Sequence, residues 1–457
     1  KIMAKKITIL GAGESGVGAA ILAIATGYEV FVSDSGSIKE EFKKELELRN
    51  IIYEEGLHSD IIFDSAEVIK SPGIPEDAEI ITKIRSKNIP VISELEFASR
   101  FTSAKIILIT GTNGKTTTTL LTHHLLKSAG IDAGLAGNVG FSLARMIADD
   151  PKEVYVVEVS SFQLDQSYKL KADIAVLLNI TPDHLDRYGN DLTNYINSKF
   201  RVIQNMKAGD PFICNYDDDI IKTRIESRNI LPEVIKVSLR NEVETGGYLE
   251  GDIITTRLKE KEYRFNTIEL PLKGNHNAVN MMASILCAMN FGIGHQSILE
   301  GIKSFKNAPH RMEHVTAIKG IDFVNDSKAT NVDSAYYALG SYPAIVWIAG
   351  GKDKGNNYDQ LREFAREKVK ALVCLGKDNS KLLNYFRGVV PSISDTHTIK
   401  DAVRKAFSLA QKGNTVLLSP ACASFDLFRN YEDRGDQFRN EVLELKKELE
   451  KENNRVL

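Results

Sequence analysis

Lys115 and Thr116 close a short glycine-containing loop, Gly111-Thr112-Asn113-Gly114-Lys115-Thr116, with Thr117 next in the chain. These residue types can hold a nucleoside triphosphate. Backbone N–H groups of such a loop cradle phosphates, the lysine neutralises the terminal ones, and the threonine hydroxyl can ligate Mg²⁺. The common phosphate loop, G-x-x-x-x-G-K-[ST], would put its first glycine at position 109. That position is Ile109. The loop starts later, at Gly111, which argues against a standard GTPase. The competing reading is a glycine turn followed by a chance lysine.

Other chemically capable residues gather near the ends of apolar runs. Glu158 stands beside Ser160 and Ser161 in "VYVVEVSSFQLD", and Asp183, His184 and Asp186 follow "IAVLLNIT". Carboxylate and hydroxyl oxygens suit Mg²⁺, with phosphate and water completing its shell; a surface glutamate and a hydrogen-bonded loop histidine are the plain alternatives. The run Gly11-Ala12-Gly13-Glu14-Ser15-Gly16, with Asp34 about 20 residues on, fits the dinucleotide fingerprint. It could serve NAD, another diphosphate at the helix start, or only the packing of helix on strand. Further along, Asp326, Ser327, Lys328 and Thr330 cluster, as do Lys352 and Lys354, and Ser419, Ser424 and Tyr431. Cationic and hydroxyl groups gathered in this way suit an anionic small molecule. Lys199, in "NYINSKFRVIQNM", reads as a solvated helix lysine.

The elements that must position these residues follow a βα rhythm. "KKITILGAGESGVGAAILAIATGYEVFVSD" reads as strand, turn, helix, strand, and the alternation runs to about Arg100. A second unit opens at Lys105 with the apolar strand Ile106–Ile109. From Asn215 to about Leu272 the text turns polar with short alternating runs, and a small antiparallel patch is expected there. "HNAVNMMASILCAMNFG" reads as a buried helix, "SFKNAPHRMEHV" as a linker, and a third α/β unit follows. In open parallel sheets, ligands sit beyond the carboxyl ends of strands.

Composition narrows the classes. A net charge of -3 points to no nucleic-acid partner, and four widely spaced cysteines suggest neither a disulfide framework nor a zinc knuckle. No apolar run reaches the roughly 20 residues of a membrane span. A cytoplasmic location and a monomer are expected.

The motifs "GTNGKTT", "EVSSFQLD", "LNITPDHLDRY", "LKGNHNAVN", "PHRMEHV", "NDSKATNVDS" and "LSPACASFDLFRNYEDRG" cover most of the chain, and together the sequence resembles the Mur ligases. The shortened loop is also shared with folylpolyglutamate synthetases. The resemblance implies an α/β chain of three domains. They are a Rossmann-like domain for the UDP end of a precursor (1–100), a central P-loop ATPase-like domain with a mostly parallel sheet (101–304), and a Rossmann-like domain for the incoming amino acid (305–457). It implies ATP-dependent addition of D-glutamate to UDP-N-acetylmuramoyl-L-alanine through an acyl phosphate, in peptidoglycan precursor synthesis. By this resemblance Gly111, Thr112, Asn113, Gly114, Lys115, Thr116 and Thr117 hold ATP, with Asn280, Arg311 and Asp326. Thr116, Glu158, His184 and a carbamylated Lys199 would hold Mg²⁺, two ions in all, and Lys115, Lys199 and His184 would serve catalysis. Ser15, Asp34, Ser35, Ser71, Gly73, Asn138 and Ser160 would face the UDP-muramoyl-alanine. Lys328, Thr330, Lys354, Ser424 and Tyr431 would surround D-glutamate; an aromatic is expected at the last position.

Overall fold

The structure, a computed structural model, describes residues 5–183, 185–353 and 355–456. His184 and Lys354 lie outside the described residues. The chain is α/β throughout, with three sheets, and divides into two compact units. One comprises residues up to Leu272 together with Asn277–Phe305; the other comprises Lys273–His276 and Lys306–Leu457.

The first unit holds two sheets. Strands β1 (Lys6–Leu10), β2 (Glu29–Asp34), β3 (Ile52–Glu55), β4 (Glu67–Lys70) and β5 (Val91–Ser93) form an all-parallel sheet in the order β3-β2-β1-β4-β5. Connections run one way from β1 to β3 and the other way from β4 to β5. The loops after β1 and β4 therefore diverge at a switch point, where such sheets leave a crevice.

The second sheet has nine strands. They are β6 (Lys105–Thr110), β7 (Ala133–Gly137), β8 (Val154–Glu158), β9 (Ile174–Leu177), β10 (Pro211–Asn215), β11 (Glu233–Ser238), β12 (Gly246–Glu250), β13 (Ile253–Leu258) and β14 (Lys261–Asn266). Their order is β14-β13-β12-β11-β10-β9-β6-β8-β7. The run Ile106–Ile109 is apolar throughout because both faces of β6 are covered. Ile106 and Leu108 pack into a core that also contains Ile7, Val17 and Leu95 of the first sheet's layers. Ile107 and Ile109 pack with Met281, Met282 and Ile285 of the helix Asn275–Asn290. The two sheets thus share one hydrophobic core.

The expected antiparallel patch is smaller than the sequence suggested. β10 and β11 continue the parallel sheet, joined by the helix Asp219–Ser227, and β12 is still parallel to β11. Only β12-β13-β14 form antiparallel hairpins. The helix is short and polar and starts on Asp218, whose carboxylate accepts from the Ile220 and Ile221 amides. Nine residues of helix suffice for a crossover yet give too little periodicity to read against the polar background.

In the second unit, β15 (Glu313–Ile318), β16 (Ile321–Asn325), β17 (Ile345–Ala349), β18 (Val369–Leu375), β19 (Ile393–Thr396) and β20 (Thr415–Leu418) are ordered β15-β16-β20-β17-β18-β19. All pairs are parallel except β15 with β16. The last helix, Tyr431–Val456, packs Phe438, Val442 and Leu445 onto this sheet. Among the described residues no helix is long and apolar enough to cross a membrane.

Candidate active site

The central loop is built by the strand before it and the helix after it. β6 delivers the chain at Thr110, and the helix Lys115–Ser128 starts directly from Gly114. Gly114 has φ +83, and a Cβ there would lie 2.5 Å from Asn280 Oδ1, so conformation and space both require glycine. The loop is fixed from the side by Asn179. Its Oδ1 accepts from the Asn113 amide at 2.7 Å and its Nδ2 donates to the Asn113 carbonyl at 3.0 Å. Thr112 Oγ1 donates to the Thr181 carbonyl at 3.0 Å and lies 3.1 Å from the Tyr195 hydroxyl. Asn280, buried, accepts from Thr118 Oγ1 at 3.1 Å and so braces the first turn of the helix. Thr117 is buried in the same turn, and Thr116 is half-buried beside it.

Two lysines converge on this loop from different elements. Lys115 Nζ donates to the carbonyls of Gly111 and Thr112, both at 2.8 Å. Lys199 Nζ donates to the Gly111 carbonyl at 2.9 Å and to Thr110 Oγ1 at 3.3 Å. Lys199 is 2% exposed, which corrects the reading of a solvated lysine. The helix Leu192–Phe200 turns it inward because Tyr195, one turn earlier, is buried on the same face. Burial, and then the Lys115 charge, push the Lys199 amine well below its ordinary pKa; Asp183, Glu158 and Asp165 oppose this only in part.

Glu158 ends β8 beside Ile109 of β6. Its side chain is buried and Oε2 has no hydrogen-bond partner. A buried carboxylate oxygen without a donor is costly, and a cation removes that cost. The Glu158 carboxylate and the Thr116 hydroxyl of the loop both offer oxygen donors, which fit Mg²⁺. Among the described residues no three His, Cys, Asp or Glu side chains cluster as a ready-made metal cage.

The first glycine loop is differently employed. The Ala12 amide, one of the groups that would face a pyrophosphate, donates to Asp34 Oδ2 at 2.7 Å. Glu14 Oε1, at the helix start, accepts from the Ser142 amide at 3.0 Å and from Arg145 Nε at 2.8 Å. Its carboxylate thus points at the helix Leu143–Asp149. Gly16 is needed for packing: a Cβ would stand 1.8 Å from the Gly11 carbonyl oxygen. Ser35 and Gly73 line a cleft of about 580 Å³ with His58, Ile74, Pro75 and Lys83, beyond the carboxyl ends of β2 and β4. Ser71 abuts Gly11, whose Cβ would meet Ser71 Oγ at 2.5 Å, and Ser15 is half-buried in the helix's first turn. Asn138 is exposed, its amide bonded to the Glu158 carbonyl at 3.0 Å. Ser160 caps the helix Ser161–Asp165 in a capping box with Gln163. Of these residues, Ser35 and Gly73 line the cleft, whereas Asn138 and Ser160 lie near the end of β8.

In the second unit the loops after β16, β17 and β20 meet. Lys328 Nζ sits 3.8 Å from the centre of the Tyr431 ring, and the Lys328 amide donates to the His310 carbonyl. Asp326 is buried and accepts from Ser419 Oγ at 3.0 Å; burial raises its carboxyl pKa to about 7 against those bonds. Ser424 is buried and Thr330 half-buried nearby in the same loops. What knits them is Arg434, 1% exposed. It donates from Nε to Ser327 Oγ, from Nη2 to the Ser327 carbonyl and from Nη1 to the Cys422 carbonyl, at 3.0, 2.9 and 3.2 Å. Burial lowers its guanidinium pKa to about 10. Sequence reasoning singled out neither Arg434 nor Asn179. The one hint for Arg434 was a lone arginine in the acidic start "YEDRG" of the last helix.

A parallel sheet with a shortened phosphate loop, joined to a second α/β unit with a polar loop cluster, defines an ATP-ligase type of molecule. Comparison with known proteins agrees: a model of the Mur ligase middle domain matches residues 109–288, one of the Mur ligase glutamate ligase domain matches 310–422, and one of the MurD N-terminal domain matches 6–80. The chain belongs to the Mur ligase family. It is 53% identical over 448 residues to the UDP-N-acetylmuramoylalanine–D-glutamate ligase of Cytophaga hutchinsonii, covering 97% of this chain and 100% of that one. It is 49% identical over 445 residues to the ligase of the same name from Bacteroides fragilis, covering 96% and 100%. Among solved structures, a pseudomurein peptide ligase type C from Methanothermus fervidus shares the fold with a TM-score of 0.62 at 19% identity, covering 97% and 100% of the two chains. The UDP-N-acetylmuramate-alanine ligase of Thermotoga maritima does so at 0.60 and 18%, covering 96% and 100%.

Proposed function

We propose that the chain is the ATP-dependent ligase that joins D-glutamate to UDP-N-acetylmuramoyl-L-alanine, in the cytoplasmic synthesis of peptidoglycan precursors. The observation that carries this reading is the convergence of Lys115 and buried Lys199 on one phosphate loop, with the orphaned Glu158 oxygen at the end of the strand beside it. It occurs in a chain matched nearly end to end by relatives named for that reaction. Residues 1–100 would serve the UDP end, 101–304 ATP, and 305–457 D-glutamate.

A carboxylate is a poor acyl donor, so the alanyl carboxylate oxygen attacks the γ-phosphorus of ATP and ADP leaves. The D-glutamate nitrogen then attacks the acyl carbon and phosphate departs. The chain's part is to align these atoms and to neutralise charge. Gly111–Thr117 offers its amides to the phosphates, and Lys115 would exchange its two carbonyl partners for phosphoryl oxygens. Asn280, Arg311 and Asp326 would contact ATP. Mg²⁺ would be held by Thr116, Glu158 and His184, with a second ion supported by a carbamylated Lys199, and would supply electrostatic neutralisation of the phosphoryl oxygens. Carbamylation needs a neutral amine, and burial favours that form of Lys199. Lys328, Thr330, Lys354, Ser424 and Tyr431 would hold D-glutamate. Ser15, Asp34, Ser35, Ser71, Gly73, Asn138 and Ser160 would hold the UDP precursor. The incoming amine must lose a proton, and His184 is the nearest candidate in sequence to the carboxylates of this site.

The test is phosphate release from ATP in the presence of both UDP-N-acetylmuramoyl-L-alanine and D-glutamate. Release that needs both acids supports the reading; release without either, or turnover of a nicotinamide instead, ends it.

A further inference from the structure

The turn that carries Arg311 is held in an unfavourable backbone conformation. His310 has φ +63 and Met312 φ +47, so two non-glycine residues in the left-handed region flank the arginine. Each is a strained conformation for a residue with a Cβ and persists only when its surroundings over-determine it. The bonds that do so are specific. The His310 amide donates to Glu313 Oε2 at 2.8 Å, and the Met312 amide to Asp326 Oδ1 at 3.2 Å. Asn307 Nδ2 donates to the Arg311 carbonyl at 3.3 Å.

Behind the turn stands the last helix. Arg439 grips Glu313 with both prongs, Nε to Oε1 and Nη2 to Oε2, each at 2.9 Å. Burial would raise the Glu313 carboxyl, but Arg439 and the His310 amide outweigh it and hold it below its ordinary range. A bidentate pair of this kind fixes direction as well as distance. Gly435, one helical turn earlier, lies against the His310 ring, where a Cβ would be 2.1 Å from Nδ1. Asn325 Nδ2 ties the Gly435 carbonyl at 3.0 Å and His310 Nδ1 at 3.0 Å to the end of β16.

We propose that Arg439, acting through Glu313, and Gly435 are positioning residues: the last helix is the backstop that holds the His310–Met312 turn so that Arg311 meets ATP. The inference rests on the ATP role proposed for Arg311. A turn needed only to reverse the chain could use glycine at both left-handed positions. Here histidine is held by Glu313, a carboxylate that Arg439 aims from the helix, and methionine by Asp326 at the end of β16.

The experiment compares Arg439→Met with Arg404→Met in the full-length enzyme. Arg404 pairs with Glu441 and Glu448, also on the last helix but away from the turn. For Arg439→Met, kcat/KM for ATP should fall about tenfold. The value for D-glutamate at saturating ATP should stay within about twofold, and the thermal midpoint should match that of Arg404→Met. Arg439→Lys should recover part of the loss through one remaining bond. Adding Arg311→Ala to Arg439→Met should cost little more than Arg311→Ala alone, because the two act as one unit. Equal losses for both acceptor and ATP, or an ATP loss no larger than in Arg404→Met, would overturn the proposal. If Arg311→Ala alone leaves ATP kinetics unchanged, the ATP role of Arg311 fails and this inference with it. If Arg311→Ala impairs ATP use and Arg439→Met does not, only this inference fails. Gly435→Ala is the second variant and should show the same ATP-selective loss.

Discussion

Two glycine loops, Gly11–Gly16 and Gly111–Gly114, follow the first strand of their sheets and open helices, yet the molecule uses them differently. In the first, the amide at Ala12 is taken by Asp34, and Glu14 reaches across to Ser142 and Arg145. Its glycines allow close packing. In the second, a neutral amide, Asn179, holds the Asn113 amide and carbonyl, two lysines reach the loop carbonyls, and the Glu158 oxygen at the end of the neighbouring strand lacks a donor; an anion with a divalent cation would complete these charged groups. A fingerprint defined by glycine spacing reports the turn. Whether the turn holds phosphate depends on what else points at its amides.

The largest expected effect separates the loops by rate. Lys115→Ala should lower phosphate release by about 10²–10³-fold or more, the scale of losing a preorganised charge-stabilising group. Lys199→Ala should fall by a similar order, about 10²-fold or more, and regain part of its rate with formate or acetate. Lys115→Ala should regain nothing with either acid, and rescue of both or of neither would count against the carbamate.

Next comes stability. Gly16→Ala forces a Cβ to 1.8 Å from the Gly11 carbonyl oxygen and should cost on the order of 3 kcal/mol in urea unfolding. A Gly16→Ala enzyme as stable as the parent would show that the first loop is not a packing device.

Glu94 tests the layer where the two sheets of the first unit share a core. It is buried, accepts from the Ala144 amide at 2.6 Å, and burial raises its pKa from 4.5 to about 8. Between those values the folded state keeps a proton that the unfolded state releases, so this group's contribution to stability falls as pH rises. Glu94→Gln removes the titration. Its stability advantage over the parent should therefore grow from pH 5 to pH 8 and reach on the order of 2 kcal/mol. A gap that does not change with pH would refute this.

The smallest effect is expected at Glu14→Gln. The pair with Arg145 is partly exposed, so the stability change should be about 1 kcal/mol or less. Phosphate release should stay within about twofold of the parent. A large rate loss here would mean that the Glu14 carboxylate does more than pair with Arg145.

Much of this was legible in the sequence. Apolar runs such as Ile106–Ile109 marked buried parallel strands, and Gly114-Lys115-Thr116 marked the phosphate loop. The parallel continuation through β10 and β11 was not legible, because its crossover helix is short and polar. Lys199 looked idle because a lysine's burial depends on which face of its helix meets the sheet, and one lysine carries no periodicity. Asn179 and Arg434 were missed for a related reason: both act by hydrogen bonds to backbone carbonyls or amides far away in the chain, and no spacing rule encodes those partners.

The sequence by itself determined the βα alternation outside residues 215–272, the shortened loop and the family to which the chain belongs, since these rest on local pattern and contiguous motifs. Only the tertiary structure decided which of two similar loops keeps its helix start clear of its own carboxylates. It also decided that Lys199 is stripped of water and that the last helix braces the Arg311 turn. Those outcomes depend on burial and on directional bonds between residues up to 131 positions apart, as in Glu14 and Arg145. Such quantities are set only when the chain has packed.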